Sequence, residues 1–223
     1  MRAEDCEKCR AMVSVTGTGE VKAAPDYVEI ALGVEIRNRD LQNALGQNDD
    51  RIHEILALAR KSGIEDKDLQ TDYVSIRPSY NDSKNGRTLE YYLVRKSVRL
   101  TLRDLSKFES LFSALVQAGA NHVDGVEFGV KDIRKLRDQA REMAVVAARE
   151  KAEAMAGKLG QKIGKAFRIE ESLPPVENQY GGGYARGYAN AAQSLPGGEA
   201  GSGFAPGQIK VEARVSIQFE LLQ

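Results

Sequence analysis

Cys6 and Cys9 are the chain's two cysteines, separated by two residues, the CxxC spacing at which a dithiol can cycle with a disulfide. Redox pairs of the thioredoxin type sit between a strand and a helix, whereas this pair precedes the first strand pattern. A tail carrying two thiols or a local disulfide accounts for it. A tetrahedral zinc site would need two further ligands, and the only histidines, His53 and His122, fall in a helical pattern and at a strand start far along the chain. The stretch GTGEVK from Gly17 to Lys22 invites a nucleotide-binding reading, but the dinucleotide fingerprint needs a third glycine where Lys22 stands and a helix after the loop. A strand pattern follows instead. Glu65, Asp66 and Asp68 bring three carboxylates together in a polar connection. General acid and base work would need two of them in a cleft with separated pKa values, and a charged loop explains them as well. Lys96 interrupts an apolar strand face between Val94 and Val98, where an unpaired charge is costly, so an acidic partner or a position at the margin of the core is expected. Tyr180, Tyr184 and Tyr188 recur every four residues among glycines and are the candidate interaction residues, since an arm that folded on binding would align them on one edge. No Walker A sequence, GxSxG elbow or HExxH occurs, so the sequence offers no catalytic, cofactor-binding or metal-binding set.

The elements that would position these residues are more clearly written. From Val28 the even positions Val28, Ile30, Leu32, Val34 and Ile36 are apolar, and at the far end Ile209, Val211, Val215, Ile217, Phe219 and Leu221 alternate with polar residues. A period of two over such lengths marks antiparallel strands with one face on a core and one in water. Pro25 and Asp26 fit a turn between the first two strands, and Gly17 and Gly19 within a strand indicate a bulge or a close backbone approach. Asp40 is the expected N-cap of a helix whose stripe is Leu41, Ala44, Leu45, Ile52, Ile55, Leu56 and Ala59, with Gly63 as its stop. Leu69 to Pro78 reads as a strand ending at the proline, Asn81 to Gly86 as a turn, and Leu89 to Arg103 as the returning strand of a hairpin. On that returning strand Tyr92, Val94, Val98, Leu100 and Leu102 form one face and Arg95, Ser97, Arg99, Thr101 and Arg103 the other. A helix carrying Leu105, Phe108, Leu111, Phe112 and Leu115, a strand over Val126–Val130, an alanine-rich helix from Asp132 to Leu159, and a strand over Phe167–Glu170 complete the pattern. In the alanine-rich helix Leu136, Ala140, Met143, Ala144, Ala147 and Met155 are expected to line one side, the small residues permitting close packing.

Strand pairs grouped with helices, without regular alternation, predict an α+β fold of mainly antiparallel sheet with long alternating strands packed against three helices. The last strand must pair with strands from far earlier, so residues 11–223 are expected to form a single domain behind a flexible tail of residues 1–10. Two similar subdomains, each using a hairpin and a helix, are the other arrangement. Residues 174–207, rich in Gly, Pro and Ala, read as a long loop or arm. With 223 residues, 42% of them hydrophobic, the chain can build a sizeable core. Lys and Arg balance Asp and Glu at 32 each, which gives no global positive field for nucleic acid. No run is long and apolar enough to span a membrane, and residues 1–10 lack the apolar core of an export signal.

Four blocks then carry a family resemblance: VSVTGTGEVKAAPDYVEIALGV from Val13, KSGIEDKDLQTDYVSIRPSY from Lys61, AREKAEAMAGKLGQKIGKAFRIEES from Ala148, and PGQIKVEARVSIQFEL from Pro206. In this order and spacing they resemble the SIMPL domain family over Val13 to Leu222. The resemblance implies a periplasmic or envelope-associated protein without enzymatic activity or cofactor, forming homo-oligomers, contacting protein partners and linked to stress tolerance. The CxxC tail departs from the family pattern, and a cytoplasmic location stays open. The alternatives are a small-molecule-binding protein with a pocket between helix and sheet, a thiol redox protein using Cys6 and Cys9, and a cytoplasmic signalling adaptor.

Overall fold

The computed structural model describes residues 11–83, 86–172 and 206–222. In chain order the elements are β1 (Met12–Ala23), β2 (Tyr27–Asn38), α1 (Leu41–Lys61), β3 (Leu69–Ser83), β4 (Gly86–Leu102), α2 (Phe108–Gln117), β5 (His122–Gly129), α3 (Ile133–Lys158), β6 (Lys162–Ser172) and β7 (Ile209–Leu222), with one-turn 3-10 helices at Asp66–Asp68 and Leu105–Lys107. Two antiparallel sheets result, ordered β1-β7-β6 and β3-β4-β2-β5. The fold is α+β. By contact density the chain divides into two compact units, and the second, Pro25–Gly129, is inserted between β1 and α3 of the first.

The first unit closes through the chain's two ends. β1 and β7 pair from Met12 opposite Glu220 to Ala23 opposite Ile209, so the last strand does pair with the first. One face of this sheet buries Val13, Val15, Val211, Val215 and Ile217 against Ala140, Ala144, Ala148 and Ala152 of α3. The glycines of β1 explain the alanines of α3. A Cβ on Gly17 would lie 2.0 Å from the Ala144 carbonyl oxygen, and one on Gly19 would lie 2.1 Å from that of Ala140. Helix and strand backbones therefore approach at a distance only glycine allows. The buried stripe advances by four residues per step, and the expected lining positions Met143 and Met155 fall off it and are each 50% exposed. At such a close approach a long thioether has no room, so the methionines lie to the side.

In the second unit Val28, Ile30, Leu32 and Val34 of β2 join Val94, Val98 and Leu100 of β4 beneath Ala44, Ile52, Ile55 and Ala59 of α1 and Leu111 and Leu115 of α2. Asp40 caps α1, its side chain accepting from the Asn43 amide at 2.9 Å, and Gly63 ends the turn beyond it at φ 92°. Asn48 lies fully buried within the apolar stripe of α1. Its Nδ2 donates to the carbonyls of Val34 at 2.8 Å and Val94 at 3.2 Å, joining the helix to the two central strands.

The hairpin of β3 and β4 forms as expected, but Pro78 does not end its first strand. β3 continues to Ser83 because it is the sheet edge, where a proline without an N–H can sit with that position turned to the open side. β5 and β6 are likewise longer than the sequence pattern indicates, each gaining residues whose side chains are mostly outside the core.

Candidate functional site

Across the outer face of the four-stranded sheet, opposite the helices, the side chains are charged and the centre is low. Ala31 on β2, Gly125 on β5 and Ser97 on β4 supply a floor of small residues. Gly33, register partner of Ser97, has no room for a Cβ, which would meet the Lys96 carbonyl oxygen at 2.4 Å. Glu29, Asp72, Tyr73, Arg95, Arg99, Asp124 and Glu127 stand around this floor, enclosing a cleft of about 360 Å³.

The groups in the cleft are committed largely to one another. Arg99 pairs with Asp72 at 2.9 Å and reaches Glu29 at 4.0 Å, and its hydrogen bond to Asp72 raises its pKa further. Asp124 is the hub. It takes an ion pair from Arg95, a hydrogen bond from the Ser97 hydroxyl at 2.9 Å, and a contact from His122 Nε2 at 3.1 Å. Burial works to raise the Asp124 pKa, but the hydrogen bonds from Ser97 and Arg95 outweigh it and hold the carboxyl below its ordinary value. Arg95 also lies 5.7 Å from the Tyr73 ring centroid.

Serine, histidine and aspartate thus meet, but in an order unsuited to acyl transfer. A nucleophilic serine needs the imidazole between itself and the carboxylate. Here the carboxylate lies between them, the serine proton already points at Asp124, and an acid with a depressed pKa is a weak base. The arrangement is suited to holding shape and charge.

The residues singled out from sequence are dispersed. Lys96 has its acidic partner, an ion pair with Asp49 of α1. The loop carboxylates are paired too: Glu65 with Lys67 at 2.6 Å, Asp66 with Arg60 at 2.7 Å and Asp68 with Arg103 at 2.6 Å. Gly17 to Lys22 run within β1, so no phosphate-cradling loop forms there. His53 is exposed on α1, whereas His122 starts β5 and joins the Asp124 cluster. Cys6, Cys9, Tyr180, Tyr184 and Tyr188 lie outside the described residues.

Comparison with known proteins adds the lineage. A family model described as SIMPL, a protein of unknown function (DUF541), matches residues 13–219, from the start of β1 into β7. The chain belongs to the SIMPL family. This SIMPL chain is 30% identical over 188 residues to the uncharacterized protein YggE of Edwardsiella ictaluri, covering 82% of the chain and 79% of that protein. It is 27% identical over 157 residues to YggE of Escherichia coli K12, covering 70% and 64%. To the 26 kDa periplasmic immunogenic protein of Brucella melitensis it is 29% identical over 219 residues, covering 95% and 85%. Among the described residues no helix of this SIMPL protein is long and apolar enough to cross a membrane.

Sequence reasoning on the SIMPL chain missed Asp124 and Asn48. Asp124 lies before the strand expected from Val126, and it is the extra residue where the β5–β2 ladder shifts between Val123 and Gly125, an irregularity no local pattern marks. Asn48 could have been found, because it stands four residues after Ala44 and four before Ile52 on the apolar stripe.

Proposed function

We propose that this protein is a non-enzymatic, envelope-associated SIMPL protein whose residues 11–223 act as one domain, working through protein–protein contact and self-assembly. The supporting observation is that both sheets end in strands without a neighbour among the described residues, β1 and β6 in one and β3 and β5 in the other. An open edge presents unpaired N–H and C=O groups, a template for another chain. The cleft, by contrast, carries functional groups already spent on one another. Periplasmic placement is supported by the relative whose name states that location, and stress tolerance is the setting the family resemblance implies. The test is the mass of the full chain in solution by light scattering coupled to size exclusion, with and without residues 174–207. A defined oligomer is expected. One that falls apart on deletion would assign the Tyr180, Tyr184 and Tyr188 segment to assembly, and a monomer at micromolar concentration would end the reading.

The cleft itself favours a second reading, small-molecule binding on the outer sheet face. Four carboxylates there outnumber two guanidinium groups, so the ligand would be an organic cation. A thermal shift with spermidine that a neutral amide does not reproduce would support it, and equal melting in both would remove it.

A further inference from the structure

We propose that the open edge of β3 pairs antiparallel with β3 of a second copy, about a twofold axis at Ser75. The inference rests on the self-assembly reading and names the strand that performs it. Among the described residues β3 has a partner on one side only, β4, and it exposes Tyr73 at 42%, Val74 at 55%, Ile76 at 45% and Tyr80 at 43%. Val74 and Ile76 lie opposite Lys96 and Val94 of β4. Val94 is fully buried, so Val74 and Ile76 occupy the core-side face of the sheet, yet neither belongs to the core packed under α1 and α2. A long edge with apolar side chains on its inner face is where a further strand fits.

The backbone defines the register. Pro78 has no N–H to give β4, so its nitrogen faces the open side, and with no irregularity between them the amides of Ile76 and Val74 face that side as well. The β3–β4 ladder slips between Thr71 and Tyr73 and again between Ser79 and Tyr80. The regular ladder therefore runs from Tyr73 to Ser79. Of its outward positions Val74, Ile76 and Pro78 only the first two have an N–H to give, so the pairing window is Tyr73 to Arg77, with Ser75 at its centre.

This window is self-complementary. A twofold at Ser75 sets Val74 opposite the partner's Ile76 as a hydrogen-bonded pair and continues the apolar face from one copy into the next. On the other face Tyr73 meets the partner's Arg77, repeating across the axis the hydrogen bond that Arg77 gives Tyr73 within one chain at 3.4 Å. Arg77 is the only charge in the window, and the axis separates the two copies of it by four residue steps, about 13 Å, beyond the Debye length of about 8 Å at physiological salt. On the β6 edge, which also exposes large apolar residues, the regular window is Arg168 to Ser172, and a twofold at its centre would set Glu170 opposite the partner's Glu170, like charges that repel.

The test uses the full chain. Ile76→Pro removes the outward amide while leaving the β4 ladder intact, and the particle mass is expected to fall at least twofold, with circular dichroism confirming the fold. In a background of Cys6→Ser and Cys9→Ser, Ser75→Cys is expected to cross-link two chains with oxidised glutathione, each pair of thiols giving up two electrons and two protons. Ser79→Cys, about 26 Å from its own copy across the axis, is not. If Ile76→Pro does not fold, the cross-link decides alone. A wild-type protein that is monomeric fails the self-assembly reading and this inference together. An assembled wild type that keeps its mass in Ile76→Pro and does not cross-link through Ser75→Cys leaves self-assembly standing and overturns pairing through β3.

Discussion

At the scale of single residues, the outer cleft is held by one carboxylate. Asp124 has burial against its charge and the hydrogen bonds of Ser97 and Arg95 in favour of it, with a net lowering of its pKa. A carboxyl depressed in the folded state contributes stability that is present above its unfolded value of about 3.9 and is lost as pH falls through the lower folded value. Asp124 is about one-third exposed, so solvent screens part of this. Asp124→Asn is expected to lower stability by about 1 kcal/mol near neutral pH. Urea midpoints of variant and wild type should converge as pH drops below the unfolded value, and a gap that persisted there would mean packing rather than charge. Asn48→Ala removes two buried hydrogen bonds from α1 to the central strands and is expected to cost about 1–3 kcal/mol in chemical denaturation. Neither role is carried by residue type alone. Asp124 meets Ser97 from the extra residue at a shift in the β5–β2 ladder, and the two carbonyls that Asn48 reaches lie on strands far apart in sequence.

At the scale of elements, the contact of β1 with α3 is set by absent atoms. Gly17→Ala places a methyl 2.0 Å from a helix carbonyl oxygen and is expected to cost at least about 1–3 kcal/mol, since the backbone has to separate to admit it. Gly46 on α1 has nothing within 4 Å of an added Cβ, so Gly46→Ala is expected to stabilise by about 0.5–1 kcal/mol. The two thermal midpoints should move in opposite directions. Much of this layer was legible in sequence. The alternation of β2 and β7, the Asp40 cap and the Gly63 stop follow from local rules, and the glycines of β1 together with the alanines of α3 announced a close approach. Met143, Met155 and Pro78 were misread because their places depend on neighbours: a stripe stepping by four under a tight contact, and a strand lying at a sheet edge.

At the scale of the whole molecule, the first and last strands pair with each other while the second compact unit is inserted between β1 and α3. The β1–β7 pairing thus joins the two ends of the described chain in one sheet, and among the described residues β1, β6, β3 and β5 are the edge strands. Self-assembly through β3 is the central claim, and amide hydrogen exchange over Tyr73 to Arg77, followed against protein concentration, tests it most directly. The amides of Val74 and Ile76 are expected to be protected at the concentrations where the protein assembles and to exchange freely on dilution. Free exchange of both in the assembled protein would contradict the account.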